Sequence, residues 1–413
     1  MSLLRYVLIF FTCTMAFGAR HEFILRFNYQ VDIPTVLAGY NVVCYAQHDG
    51  EATYRVTIES NLDRQTLVDQ LQTITYTAEY NQKTQVRELI SAGHIDARAI
   101  FILEGEPNEA SLNDLNNDTD PEPTIYGQHW LEQIRVGSAW PHSTGHGVTV
   151  AVLDTGVDMN HQFLYANLSS WGYDFVDGDW DPSEERDNLD TNQNGIYDEG
   201  WGHGTHIAGI IKTVAPGVTI MPVRIADSDG HAELFDIVQG IAHAIWFGAD
   251  IINLSLSVDD PSPALEDWLD FAKDLGITIV TSAGNENSDS LMFPANVPGV
   301  ITVASVDRDY RKSDFSNFSP YIDVVAYGEE VLSCAPNNRY VHRSGTSMAA
   351  PMVSAQAAII LQLVPGASRH YVRSRIVSTA KDVTYYNSSY YWGLLGYGYM
   401  DIWNSITVNN VKK

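Results

Sequence analysis

Val148-Thr149-Val150-Ala151-Val152-Leu153-Asp154-Thr155-Gly156 is an apolar, β-branched run that stops at a carboxylate. An unbroken run of this kind, without alternating polar residues, predicts a strand covered on both faces, as in a parallel sheet between helices. The expected fold class is therefore α/β, three layers with a largely parallel central sheet. Asp154 falls at the strand end, and a buried carboxylate at a strand end is poised for chemistry.

Two other segments supply complementary groups. His203 lies in GWGHGTHIAGI among Gly200, Gly202 and Gly204, and the apolar residues after it predict a helix opening at the histidine. Ser347 lies in SGTSMAAP and opens a second helix, with Gly345 just before it. A serine hydroxyl is a poor nucleophile until an imidazole takes its proton, and the imidazole needs a carboxylate to fix its tautomer and stabilise its cation. A single Asp-Thr-Gly could also mark an aspartic peptidase loop, but that chemistry needs two carboxylates sharing a proton, and the triplet occurs once. His206, three residues after His203, has no H-E-x-x-H context for a metal pair and is expected to be a packed helix residue.

The order Asp, His, Ser separates this chain from the chymotrypsin and α/β-hydrolase orders and matches that of subtilisin. On these three motifs the chain resembles the subtilisin family of serine endopeptidases, over roughly residues 128–406. The resemblance implies that Asn285, in IVTSAGNEN, helps to bind the oxyanion together with the Ser347 backbone N–H. It implies a substrate bound as an added strand between Ser255-Leu256-Ser257 and Gly230-His231-Ala232, with Ala283 and Gly284 beside the primary pocket. Family members commonly carry glycine where Ser257 and Ala232 stand, so narrowed subsites upstream of the scissile bond are expected.

The amino end has the form of a secretory signal over residues 1–18: Arg5, an apolar run from Tyr6 to Phe11, then Ala16-Phe17-Gly18. No later stretch of about 18 uninterrupted apolar residues suggests a membrane span. Residues 19–105 mix strand-like runs (FILRF, YNVVCYA, ATYRVTIE) with a helical candidate from Arg64 to Leu71, an independent α+β domain. By position it matches the family's inhibitory propeptide, although a retained binding module would look alike. Residues 106–124 form an acidic linker poor in apolar side chains, the expected site of self-processing, and the catalytic domain follows over 125–413.

Between Asp154 and His203 the chain carries an acidic insertion, DGDWDPSEERDNLDTNQNGIYDEG. In it Asp190, Asn192, Asn194, Asp198 and Glu199 place oxygen donors around Gly195 in the manner of a calcium loop, and hard oxygens without thiolate or imidazole favour calcium over zinc. After His203 the helix runs almost directly into VTIMPVRI, without the loop that supplies many subtilisins with a high-affinity calcium site. A formal charge of −27 argues against nucleic acid or anionic membranes as partners. The three cysteines, Cys13, Cys44 and Cys334, leave the catalytic region one thiol and no internal disulfide. The expectation is a secreted monomer that cuts protein or peptide substrates. The rival is a pseudopeptidase that binds a partner while locked by its own amino-terminal domain.

Overall fold

The computed structural model describes residues 125–191, 195–258 and 263–407, together with four strands and scattered positions between residues 19 and 80. The expected signal at 1–18 and linker at 106–124 lie outside the described residues. In the amino-terminal unit β1 (Ala19–Arg26), β2 (Val42–Gln47), β3 (Thr53–Ser60) and β4 (Thr77–Tyr80) form an antiparallel sheet in the order β2-β3-β1-β4. Phe23 stands opposite Val56 on one side and Tyr80 on the other. Tyr54, Val56 and Ile58 are buried at the two-residue spacing that puts side chains on one face of a strand. Leu67 and Leu71, from the expected helix, are also buried.

From residue 125 on, the chain opens with two short helices, α1 (His129–Gln133) and α2 (Val136–Ala139). There follow β5 (Thr149–Asp154), β6 (Tyr173–Asp174), α3 (His203–Val214), β7 (Thr219–Arg224), α4 (Leu234–Trp246), β8 (Ile251–Leu254), α5 (Pro263–Asp274) and β9 (Thr278–Ser282). The chain then makes β10 (Ile301–Val306), β11 (Val324–Tyr327), a hairpin of β12 (Val331–Ala335) and β13 (Arg339–Arg343), α6 (Thr346–Leu363), α7 (Arg369–Ser378) and α8 (Ile402–Thr407). Seven strands form one parallel sheet in the order β11-β10-β9-β8-β5-β7-β6. The expected parallel sheet is thus present, and β5 is the strand at which the order reverses. Ligands of open α/β sheets bind outside the carboxyl ends of the strands at such a point.

The two faces of β5 explain why its whole sequence is apolar. Val150 and Val152 enter a core shared with Ile207 and Ile211 of α3 and Met352 and Val353 of α6, while Leu153 faces Gly240 of α4 on the opposite side. Each fully buried aliphatic side chain of this kind contributes about 1.5–3 kcal/mol. Asp154, two residues beyond Val152, emerges on the face covered by α3 and α6. Among the described helices α6 alone has the length and hydropathy to cross a membrane, but 83% of it is buried inside the fold. Cys334 is a buried free thiol on β12, as the sequence implied.

Candidate active site

The carboxyl ends of β5, β7, β8 and β9 present Asp154, the 226–232 turn, Ser255–Ser257 and Ala283–Asn285 along one edge of the sheet. Asp154 Oδ1 lies 2.7 Å from His203 Nδ1, both side chains almost wholly buried. A carboxylate can only accept, so Nδ1 carries the proton and Nε2 of the neutral ring is the basic nitrogen. The Thr155 backbone N–H also donates to Oδ1, at 2.8 Å. This close approach depends on Gly204: a Cβ there would stand 2.0 Å from the Gly156 carbonyl oxygen and 3.1 Å from Asp154 Cβ. The glycine beside the histidine lets α3 begin against the strand end.

Ser347 is buried in the first turn of α6, which packs against α3. Its turn is fixed by Gly345 (φ +156), whose N–H donates to the Gly328 carbonyl at 2.8 Å. Pro351 stands four residues after Ser347 and has no N–H, so the Ser347 carbonyl lacks its helical donor. The Ser255 hydroxyl points to that carbonyl at 3.4 Å. Ser255 is held in turn by Asn253 Nδ2 at 3.1 Å, whose Oδ1 accepts from Ser354 of α6 at 2.8 Å. A residue placed in the substrate cleft by sequence thus also braces the helix of Ser347.

Asn285 lies beside the same turn. Its Oδ1 accepts from the Thr346 backbone N–H at 2.8 Å and from Thr346 Oγ1 at 3.0 Å. With its oxygen committed, the amide has only N–H donors left to offer a ligand. Gly284, at φ +96, needs to be glycine, since a Cβ would lie 2.5 Å from Asn317 Nδ2. Asn317 is a fully buried residue that sequence reasoning missed. It accepts from the N–H groups of Glu286 and Ser288 and donates to Ala283 O and to Glu286 Oε2. Nothing in SNFS marks it, because its four partners come from a loop some thirty positions earlier.

The 226–232 segment is a tight turn closed by an Ala226–Ala232 bridge, with Gly230 at φ +77. Asp227 organises it, accepting from the N–H groups of Asp229 and His231, and burial raises its carboxyl above the usual range. Ala232, Leu256 and Ser257 are all buried or nearly so. His206 is the packed residue expected: Nε2 lies 3.0 and 3.1 Å from the carbonyl oxygens of Val331 and Val341, and burial pushes its basicity well below normal.

In the acidic insertion Gly195 has φ +89, and its N–H closes the turn on Asp190 Oδ2 at 2.9 Å. Asp198 Oδ1 accepts from Asn188 N–H and from the Ser228 hydroxyl. Asn192 and Asn194 lie outside the described residues, and Glu199 is described. Among the described residues no three His, Cys, Asp or Glu side chains gather to hold a metal. Asp190 thus accepts from the Gly195 N–H and Asp198 from Asn188 N–H and Ser228.

The Subtilase family profile matches residues 145–398. A thermophilic serine proteinase of Bacillus sp. (strain AK1) is 36% identical over 304 residues, covering 70% of this chain and 69% of that protein. Thermitase of Thermoactinomyces vulgaris is 33% identical over 275 residues, 64% of this chain and 91% of that protein. Among solved structures, a protease from Pseudoalteromonas arctica superposes with a TM-score of 0.60 at 29% identity, over 68% of this chain and 96% of that one. The order of the motifs, the seven-stranded parallel sheet and these likenesses agree, and the chain belongs to the subtilase family as a subtilisin-like serine protease.

Proposed function

We propose that Asp154, His203 and Ser347 are the catalytic triad of an endopeptidase, with Asn285 and the Ser347 N–H as oxyanion donors. The buried 2.7 Å contact between Asp154 and His203 carries this reading, because it fixes the tautomer that a general base requires. His203 Nε2 takes the Ser347 proton as Oγ attacks the peptide carbonyl, and the imidazolium formed is stabilised by Asp154. The proton then passes to the leaving amine, and water repeats the sequence to release the acid. Asn285 suits the oxyanion because Thr346 holds its oxygen and so leaves its N–H groups as the donors on offer. The substrate strand lies between Ser255–Ser257 and Gly230–Ala232, beside Ala283 and Gly284.

The protein is made with a secretory signal and self-processes in the 106–124 linker, releasing residues 19–105 as an inhibitory propeptide. An antiparallel four-stranded sheet in that region agrees with a separately folding unit. A structural calcium ion is assigned to the insertion, where Asp190, Asn192, Asn194, Asp198 and Glu199 offer the hard oxygen donors that calcium takes. The test is intact mass of wild type beside Ser347→Ala. Wild type is expected to be shortened within 106–124 and to cut casein, and Ser347→Ala to keep its amino-terminal domain. If both keep that domain and wild type leaves casein uncut, the locked binding-protein reading replaces this one.

A further inference from the structure

The acidic insertion sends one carboxyl, which the proton relay does not use, against the turn after Asp154 and the start of α3. Pro182 O accepts from Val157 N–H at 3.0 Å, so the segment holding Glu184 lies across the turn that follows Asp154. Gly156 permits this: at φ +104, a Cβ there would stand 2.8 Å from Pro182 O and 3.1 Å from Glu184 N. Glu184 is half-buried as a residue, and its carboxyl end is enclosed. Oε1 accepts from Thr155 Oγ1 at 2.8 Å and from the Thr205 N–H at 3.1 Å, and Oε2 is shielded from solvent.

Those two donors are the residue after Asp154 and the second residue after His203. Helix α3 starts from Gly202 at φ +89 with no side-chain cap, so Glu184 provides from outside the helix the acceptor that a capping residue would normally provide. Thr155 Oγ1 also accepts from Gly204 N–H at 3.0 Å and stands 3.4 Å from Asp154 Oδ1. One carboxyl oxygen therefore joins the strand end of the expected carboxylate to the helix start of the expected base.

We propose that Glu184 is a positioning residue of the triad, clamping the Asp154 turn to the first turn of α3 and so fixing the reach of His203. The inference rests on Asp154 and His203 being the relay. The charged groups that face Glu184 are Asp154 on β5 and Arg343 on β13. Burial pushes the Glu184 carboxyl up to about 8, against the hydrogen bonds from Thr155 and Thr205 and with a smaller push from Asp154. Glutamine reproduces its length and its acceptor oxygen.

The experiment measures kcat and KM on a short peptide substrate for wild type, Glu184→Gln, Glu184→Ala and Thr155→Val. Melting temperatures and the low-field proton resonance of the His203–Asp154 hydrogen bond accompany the kinetics. Glu184→Ala and Thr155→Val are expected to lose kcat by on the order of 10- to 100-fold with KM nearly constant, and to shift or broaden that resonance. Glu184→Gln is expected to keep kcat within about threefold and the resonance in place. Wild-type kcat in folded Glu184→Ala, with only a lower melting temperature, overturns the proposal, as does a folded Glu184→Gln as impaired as alanine. If Glu184→Ala does not fold, Thr155→Val decides: its loss of kcat supports the clamp and full kcat overturns it. Asp154→Asn, measured alongside, separates the two readings, because full activity there refutes the relay itself.

Discussion

Asp154 and His203 meet through an ionic hydrogen bond, with a second carboxyl at Glu184, the guanidinium of Arg343 and the imidazole of His206 close by. On the other side of the site, Asn285 and Thr346 meet through a neutral amide, a hydroxyl and backbone N–H groups, and Asn317 holds the loop with another neutral amide. In the proposed mechanism the first side tunes proton affinity and the second aims donors. The buried titratable groups are therefore gathered mainly on the β5–α3 side, while Glu286, which accepts from Asn317, is a carboxyl on the other.

The largest effect should come from breaking the ionic side directly. Asp154→Asn allows the wrong imidazole tautomer and is expected to lower kcat by about 10⁴ with a melting temperature near wild type, read by steady-state kinetics. On the neutral side, Asn285→Ala removes one oxyanion donor. Loss of the corresponding amide in subtilisin costs on the order of 10²–10³ in turnover, and the same loss is expected here with KM little changed. Asn317→Ala leaves Ala283 O and the loop N–H groups without partners, and should cost roughly 2–4 kcal/mol in denaturant unfolding.

The insertion that delivers Glu184 also carries the oxygen donors proposed for calcium. Calcium at a hundred times its dissociation constant would add about 2.7 kcal/mol of stability, seen as a higher melting temperature that chelator or Asp190→Ala removes. The smallest effect sharpens the charge contrast. His206 is held neutral, with its folded-state affinity for protons below the ordinary value of 6.5, so the unfolded chain binds the proton first as pH falls. Stability is expected to be intact above pH 6.5 and to decline below it, and His206→Gln should flatten part of that decline in a melting-temperature series. His129, His161 and His243, lowered by burial in the same way, add to that decline, and buried carboxyls with raised proton affinity, Asp174, Glu184, Asp227 and Asp323, oppose it.

What sequence could reveal follows the same division. Asp154, His203 and Ser347 stand out in the sequence because each ends or begins an apolar run and carries a glycine whose reason is local, Gly204 against Gly156 and Gly345 at φ +156, and the structure brings Asp154 to His203. The parallel sheet was legible in Val148–Leu153, which is buried on both faces. Asn317, Glu184 and the bracing role of Ser255 were not, because each acts through partners distant in sequence and sits in a segment that reads as ordinary loop. Glu184 in particular stands in a run of acidic residues, and only its placement over Gly156 separates it from its exposed neighbour Glu185.

The most direct test of the central claim, that His203 activates Ser347, is labelling by a fluorophosphonate followed by peptide mass analysis. The account predicts one adduct, on the peptide containing Ser347 in wild type, and almost none in folded His203→Ala over the same time. An adduct on another residue, or equal labelling of Ser347 with and without His203, would contradict it.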